Sequence, residues 1–427
     1  MIKKIRVQDL EPGMFVSDMN TPWIRHPFLP NRLLLRRPKD IERMLRAGMV
    51  DVYIDTGRGK DSTKALPLEA ANRQTDEQLL DAAARSTDPE LPERVPFERE
   101  FRRARELYTE AKTAVRRQFE QVEKGRRVDG EAAEVTVSDI IASIFRNRDA
   151  YLSLARLKSF DEYTFHHSLN VAVLSLNLAV SLGILDRELL HLGIGAILHD
   201  MGKLQLPGGL VQKQGRLEPK EYEVVKTHSL HGAKLLLDAR TIPVDCAAVP
   251  LGHHERYDGS GYPRSLSGAR VGKFGLIAAI ADVYDAMTSD RPYQKGMPPT
   301  QALRKLYGWA GTHFQPLYVQ RFVQCVGIYP IGTAVRLDSG EVGVVVRQNR
   351  GDLLRPWVRL VQNASGALRR RWDDVDLRTP DPAEEKPFAR SVAVVLDPRE
   401  AGIDIDAVLS GDSAPKDPEA AALRLSA

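Results

Sequence analysis

Three apolar runs in this chain carry histidine or aspartate at one end. HHSLNVAVLSLNLAVSLGIL spans 166–185, LGIGAILHD spans 192–200 and FGLIAAIADVYD spans 274–285. A helix that is apolar around most of its circumference has no solvent face, so it must be buried. The first run is interrupted by Asn170, Ser175, Asn177, Ser181 and Gly183, which suits the core of a soluble protein and not a membrane span. The polar ends of such helices are then at least partly buried, and a buried aspartate needs a partner.

The same texture extends from residue 133 to about 328. Apolar segments of helical length recur there between short polar joints, with few alternating runs, which predicts an all-α domain with its own core. VTVSDIIASIFRN opens it, with Thr136 or Ser138 as the expected helix cap. Residues 1–57 read differently. IRVQDL, MFVSDM and VDVYID are strand-like, EPGM is a turn, and PKDIERMLRAGM has helical spacing at Ile41, Met44 and Leu45. A small β-rich module with one helix is expected, regulatory or oligomeric in role. Residues 58–95 are polar and rich in Pro, Asp and Glu, as in a linker.

From Phe97 to about Lys124 the sequence predicts a charged amphipathic helix with a thin stripe of Phe97, Phe101, Leu107, Ala111 and Val115. The stripe suits packing on the next domain better than a long coiled coil, with a dimer or signal-transmitting helix as the alternative. After YPIG (329–332), TAVRLD, GEVGVVVRQ and PWVRLVQ predict a small β appendage over 329–378. The tail, 379–427, is acidic and expected to be largely mobile apart from the strand-like SVAVVLD.

At 427 residues this length suits two or three domains, and the formal net charge of +4 does not call for a nucleic acid polymer or a membrane surface as partner. Cys246 and Cys325 are the only cysteines, too few and too far apart for a disulfide framework or a thiolate zinc site, as in a reducing cytoplasm. The opening MIKKIRVQDLEPGM has no apolar stretch to serve as a signal peptide.

Nine of the ten histidines, all but His26, fall between residues 166 and 313. In AILHDMGK, His199 and Asp200 are adjacent at the end of an apolar helix, with Lys203 one turn on, so all three can face one cavity. Imidazole beside carboxylate suits a divalent metal of borderline hardness, and the carboxylate can bridge two ions. A lysine one turn away can neutralise a phosphate oxygen. His167, His228, His253, His254 and Asp282 each have an ordinary structural explanation alone. One metal cluster explains all of them together.

The ordered motifs YTFHHSLNVAV, LHDMGK, THSLHG, HHERYDGSGYP and ADVYDAMTSDRPY, from about Tyr163 to Tyr293, resemble the HD-GYP family, a branch of the HD phosphohydrolases. DLEPGMFV…W…HPF near the N-terminus is similar to an uncharacterised module that precedes such domains. The resemblance implies a multidomain protein with an all-α HD-type catalytic domain. It implies a metal-dependent cyclic di-GMP phosphodiesterase that uses a hydroxide activated by two metals to give pGpG, and onward GMP. The alternatives are another cyclic dinucleotide or nucleotide as substrate, or a catalytically silent binding scaffold. His167, His199, Asp200, His228, His253, His254 and Asp282 match the metal ligands, with Asp200 bridging. Lys203 matches the lysine at the scissile phosphate. Asp285, Arg291 and Lys295 match nucleotide contacts, although Gln294 stands where many members have a basic residue.

Tyr163 occupies the position of a glutamate found in members that hold a third metal, so two ions are expected. Iron or manganese is favoured over magnesium, and zinc also fits. Gly261 and Tyr262 form a loop beside the site, as a substrate wall or an ordinary turn. GGDEF-type or other signalling proteins are candidate partners for that loop, and a homodimer is a further expectation.

Overall fold

The structure is a computed structural model. It describes residues 1–20, 32–46, 49–84, 93–155, 163–211, 213, 217–290, 296–383 and 387–411. The N-terminal module comprises β1 (Ile2–Arg6), β2 (Phe15–Asp18), β3 (Leu33–Leu34), α1 (Pro38–Arg46), β4 (Asp51–Asp55) and β5 (Leu66–Pro67). These strands form one antiparallel sheet in the order β3-β2-β4-β1-β5. Val16, Val52 and Ile54 on the sheet and Met14, Met19, Met44 and Met49 around it make a core of their own.

The expected linker is not one throughout. β5 adds a strand to the N-terminal sheet, and α2 (Leu68–Ala84) packs against later helices of the catalytic domain. Among its described side chains Ala71 and Leu79 are the buried ones, so a polar composition conceals a docked helix. The long helix α3 (Phe97–Glu123) buries Phe101, Ala104, Tyr108, Ala111, Val115, Phe119 and Val122, a stripe at three- and four-residue spacing.

The helical domain continues with α4 (Gly130–Arg146), α5 (Arg148–Leu154), α6 (Tyr163–Ser181), α7 (Asp186–Ile197), α8 (Pro219–Lys226), α9 (His228–Asp238), α10 (Ala248–Gly252), α11 (Lys273–Thr288), α12 (Pro299–Gly308) and α13 (Pro316–Val326). Helix α3 packs on α4, α5 and α6, while α6 packs on α7 and α11. The cap of α4 is Asp129, whose carboxylate accepts the Ala132 N–H at 3.1 Å, and not Thr136 or Ser138. Thr136 lies inside the helix and donates its hydroxyl back to the Ala132 carbonyl, so it does not cap.

The C-terminal sheet has β6 (Ala334–Leu337), β7 (Val342–Arg347), β8 (Trp357–Gln362), β9 (Leu368–Asp376) and β10 (Val392–Val395) in the order β10-β6-β7-β8-β9. It shares one continuous apolar core with the helices, through Val335, Val344, Val345, Val358 and Leu360. The expectation of a largely mobile tail fails for part of it. SVAVVLD supplies β10, which pairs with β6, and α14 (Ile405–Ser410) buries Val408 and Leu409 and packs on α3. Val392, Val394 and Val395 in the sheet and Val408 and Leu409 in the core anchor a stretch whose average composition is that of a coil. Both cysteines are buried and neither forms a disulfide. No described helix is long and apolar enough to cross a membrane.

Candidate metal centre

Helix ends build the site. His199 and Asp200 follow the apolar α7, and a 3-10 turn over Met201–Gln205 carries Lys203. His228 opens α9, His253 and His254 follow α10, His167 lies in the first turns of α6, and Asp282 lies on α11. Gly202 lets these pieces meet. A Cβ there would lie 2.0 Å from the carbonyl oxygen of His228 and 2.4 Å from the Gly232 nitrogen, so only hydrogen fits between the turn and α9.

Asp200 sits in the middle. Its Oδ2 is 3.4 Å from His199 Nε2 and 3.8 Å from His167 Nε2. Its Oδ1 is 3.6 Å from His228 Nε2 and 4.0 Å from His253 Nε2. Asp282 lies 3.2 Å from His167 Nε2 through Oδ1 and 3.8 Å from His254 Nδ1 through Oδ2. Three groups could each hold an ion, with ligand atoms within 4.8 Å of one another: His167, His199 and Asp282; His228, His253 and His254; and His199, Asp200 and His253. The two oxygens of Asp200 thus face two different histidine clusters.

Hydrogen bonds behind the rings set their tautomers. His199 Nδ1 donates to the Ala196 carbonyl at 2.8 Å, and His228 Nδ1 to that of Val225 at 2.6 Å. His253 Nδ1 is shared between the carbonyls of Val249 and Pro250, at 3.1 and 3.0 Å. A carbonyl only accepts, so each Nδ1 carries the proton and each Nε2 presents a lone pair to the centre. His199 Nε2 and Asp200 Oδ1 are buried and make no hydrogen bond. Buried polar atoms are costly to leave unpaired, and a cation between them satisfies both. The donor set therefore fits divalent metal.

Charge follows the same logic. Burial pushes the His228 pKa down to about 4 and the His253 pKa well below its usual value. Burial works against ionisation of Asp200, but Lys203 and His199 outweigh it and hold the carboxyl well below the usual range. Burial likewise opposes charge on His167, yet hydrogen bonds to Asp282 and Asp285 prevail and push it up to about 9. Burial keeps His228 and His253 neutral beside the ionised Asp200, the protonation states that bind metal, whereas His167 has to give up its Nε2 proton to hold an ion.

The HD domain profile matches residues 137–317, and a domain of unknown function (DUF3391) matches residues 2–133. A cyclic di-GMP phosphodiesterase of Pseudomonas aeruginosa is 39% identical over 382 residues, covering 88% of this chain and 89% of that protein. The chain belongs to the HD-GYP family. A cyclic di-GMP phosphodiesterase of Thermotoga maritima is 36% identical over 165 residues, 38% of this chain and 45% of that one. A 3'3'-cGAMP-specific phosphodiesterase of Vibrio cholerae is 40% identical over 136 residues, 32% of this chain and 31% of that one.

The GYP loop of this HD-GYP chain is pinned from below by Glu255. That side chain is 2% exposed, and its two oxygens accept the backbone N–H groups of Arg264 (2.8 Å) and Leu266 (3.0 Å). A Cβ on Gly261 would lie 2.3 Å from the Arg256 nitrogen, so the packing of its own loop requires glycine there. Tyr262 is half-buried, with its ring centroid 4.7 Å from that of His254. Lys203 is partly exposed beside Asp200, with which it forms an ion pair.

All seven expected ligands and Lys203 converge. Asp285 does not join the substrate face. It is 1% exposed, and its oxygens are taken by His167 Nδ1 (2.7 Å) and Asn170 Nδ2 (2.9 Å), which places it behind a ligand. Arg291, Gln294 and Lys295 lie outside the described residues, as do Trp23, His26 and the rest of the HPF motif. Asn170 and Glu255 are the residues that sequence reasoning missed. Each carried a signal: Asn170 interrupts an apolar helix one turn from His167, and Glu255 directly follows the paired histidines.

Proposed function

We propose that this protein is a metal-dependent cyclic di-GMP phosphodiesterase that adds water across one 3',5'-phosphodiester to give pGpG, and GMP in a second round. The observation that carries the reading is Asp200, whose buried carboxylate is divided between two sets of imidazoles, with His199, His228 and His253 pointing their Nε2 lone pairs inward. The relative that matches nearly the whole chain has the same activity in its name. His167, His199 and Asp282 would hold one ion, His228, His253 and His254 the other, and Asp200 would bridge. Iron or manganese is the expected metal, with zinc compatible. Such ions offset the charge of a phosphodiester and lower the pKa of water to near neutral.

The chain's own residues do the rest. Lys203, held by Asp200, offers positive charge to the phosphoryl oxygens as charge builds there. The P–O3' bond breaks as the new P–O bond forms, and the proton of water ends on the 3'-oxygen. Tyr262, its ring tilted against that of His254, offers a face to a base. A signalling protein docking on the GYP loop, a homodimer and a cytoplasmic setting, in keeping with two cysteines outside any disulfide, complete the proposal.

The test is hydrolysis of cyclic di-GMP by protein purified without oxygen and reloaded with Fe(II) or Mn(II), with 3'3'-cGAMP at equal concentration as competitor. Formation of pGpG, lost together with bound metal in Asp200→Ala, supports the reading. Equal turnover of unrelated phosphodiesters, or metal-loaded protein without turnover, would overturn it.

A further inference from the structure

We propose that Tyr108, acting through Asn170 and Asp285, positions His167, so that helix α3 takes part in setting the geometry of the metal centre. The inference rests on the reading of His167 as a metal ligand. Four side chains on three helices form an unbroken line. His167 Nδ1 donates to Asp285 Oδ2 (2.7 Å), Asn170 Nδ2 donates to Asp285 Oδ1 (2.9 Å), and the Tyr108 hydroxyl donates to Asn170 Oδ1 (2.7 Å). His166 Nδ1 lies 3.2 Å from the same hydroxyl.

The directions of these bonds are forced. An ionised carboxylate only accepts, so Asn170 must turn its amide nitrogen towards Asp285. That leaves its carbonyl facing Tyr108, which must donate. The phenol has one proton, so it accepts from His166, whose Nδ1 is therefore the protonated nitrogen. Tyr108, Asn170 and Asp285 are all buried, at 8%, 2% and 1% exposure, so water does not substitute for any member. Removal of one donor is then felt along the line to His167.

Tyr108 comes from outside the matched HD domain. It lies on α3, within the stretch matched to the N-terminal domain of unknown function. The same helix is tied to the C-terminal region by Glu98 with Arg359 (3.2 Å) and Arg105 with Asp406 (2.7 Å). The α3 helix thus touches the terminal region and the support of a metal ligand at once. A purely structural role for Tyr108 predicts a stability cost alone. A positioning role predicts a change at the metal.

The experiment titrates Co(II) into metal-free full-length protein against a competing chelator, and records the ligand-field absorption spectrum and the thermal midpoint. Tyr108→Phe keeps the ring and removes only the hydroxyl. Partners that contact a ligand directly are worth 10–100-fold in metal affinity, so this more distant one should weaken Co(II) binding by about 3–10-fold and shift the spectrum. Asn170→Asp, which cannot donate to Asp285, should weaken it further. The double variant should be no worse than Asn170→Asp, because both changes break one line.

Wild-type affinity and spectrum in both variants would overturn the relay while leaving the metal centre intact. Additive effects in the double variant would overturn it as well. Wild-type protein that binds no Co(II) would overturn the metal reading and the relay together.

Discussion

The histidines of the centre are held by two different means, a division that cuts across the two candidate ion sites. His199, His228 and His253 each donate Nδ1–H to a carbonyl three or four residues earlier in their own turn. His167 donates instead to Asp285, 118 residues away on another helix. Backbone orients the first three rings, and no side chain can be deleted to loosen them. Tertiary packing orients the fourth, and a full charge stands behind it. The chemical consequence is visible in the rings themselves: burial pushes His228 down to about 4, while paired carboxylates overcome burial and push His167 up to about 9. The backbone-held side is a fixed platform; the carboxylate-held side is where the rest of the molecule can act.

The fixed side can be broken only through the backbone, and Gly202 is the place. The Cβ of Gly202→Ala would collide with the His228 carbonyl oxygen and the Gly232 nitrogen, neither of which can swing aside as a side chain would. Overpacking costs roughly 1–3 kcal/mol, and here it also drives His228 away from Asp200. The expected outcome is the largest of the series: a lower thermal midpoint and loss of at least one bound ion per chain by elemental analysis. Full metal content in this variant would show that the platform does not depend on the close approach of the turn to α9.

The other side breaks by removal of one side chain. Asp285→Ala leaves the His167 Nδ1 proton and the Asn170 amide without their acceptor. Metal affinity should fall about 10–100-fold, the usual effect of losing the partner of a ligating histidine. A substrate contact would give the opposite pattern, with a raised KM and unchanged metal content. Chelator competition and steady-state kinetics on one preparation separate the two.

Legibility in the sequence followed the apolar runs: His199 and Asp200 end one of them, so AILHDMGK discloses both the residues and their burial, whereas THSLHG, beside a helix that buries nothing, marks His228 only through its place in the ordered motifs. Asp285 defeats that method. Its spacing of three from Asp282 puts both on one face of α11, and only the ring of His167 between them separates a front from a back. Tyr108 gave no local sign, because its partners lie 58 and 62 residues away. The two β modules were legible from alternation, but the docking of α2, β10 and α14 was not. Each is anchored by a few residues within a polar stretch, and composition averages those anchors away.

The GYP loop tests whether two categories suffice. Glu255 follows His254 directly, yet its carboxylate supports the loop at Arg264 and Leu266 and no ligand ring. In Glu255→Gln one oxygen still accepts, while the amide nitrogen faces a backbone N–H that needs an acceptor. Losing one charge-assisted hydrogen bond costs about 1.5–3 kcal/mol, part of which the loop recovers by turning towards water. The expected effect is the smallest here: a KM raised severalfold, with kcat and metal content unchanged, measured by initial rates and elemental analysis. If metal were lost instead, the loop would be part of what holds His253 and His254. The backbone-held side would then depend on a supporting side chain after all, and the contrast with His167 would be one of degree.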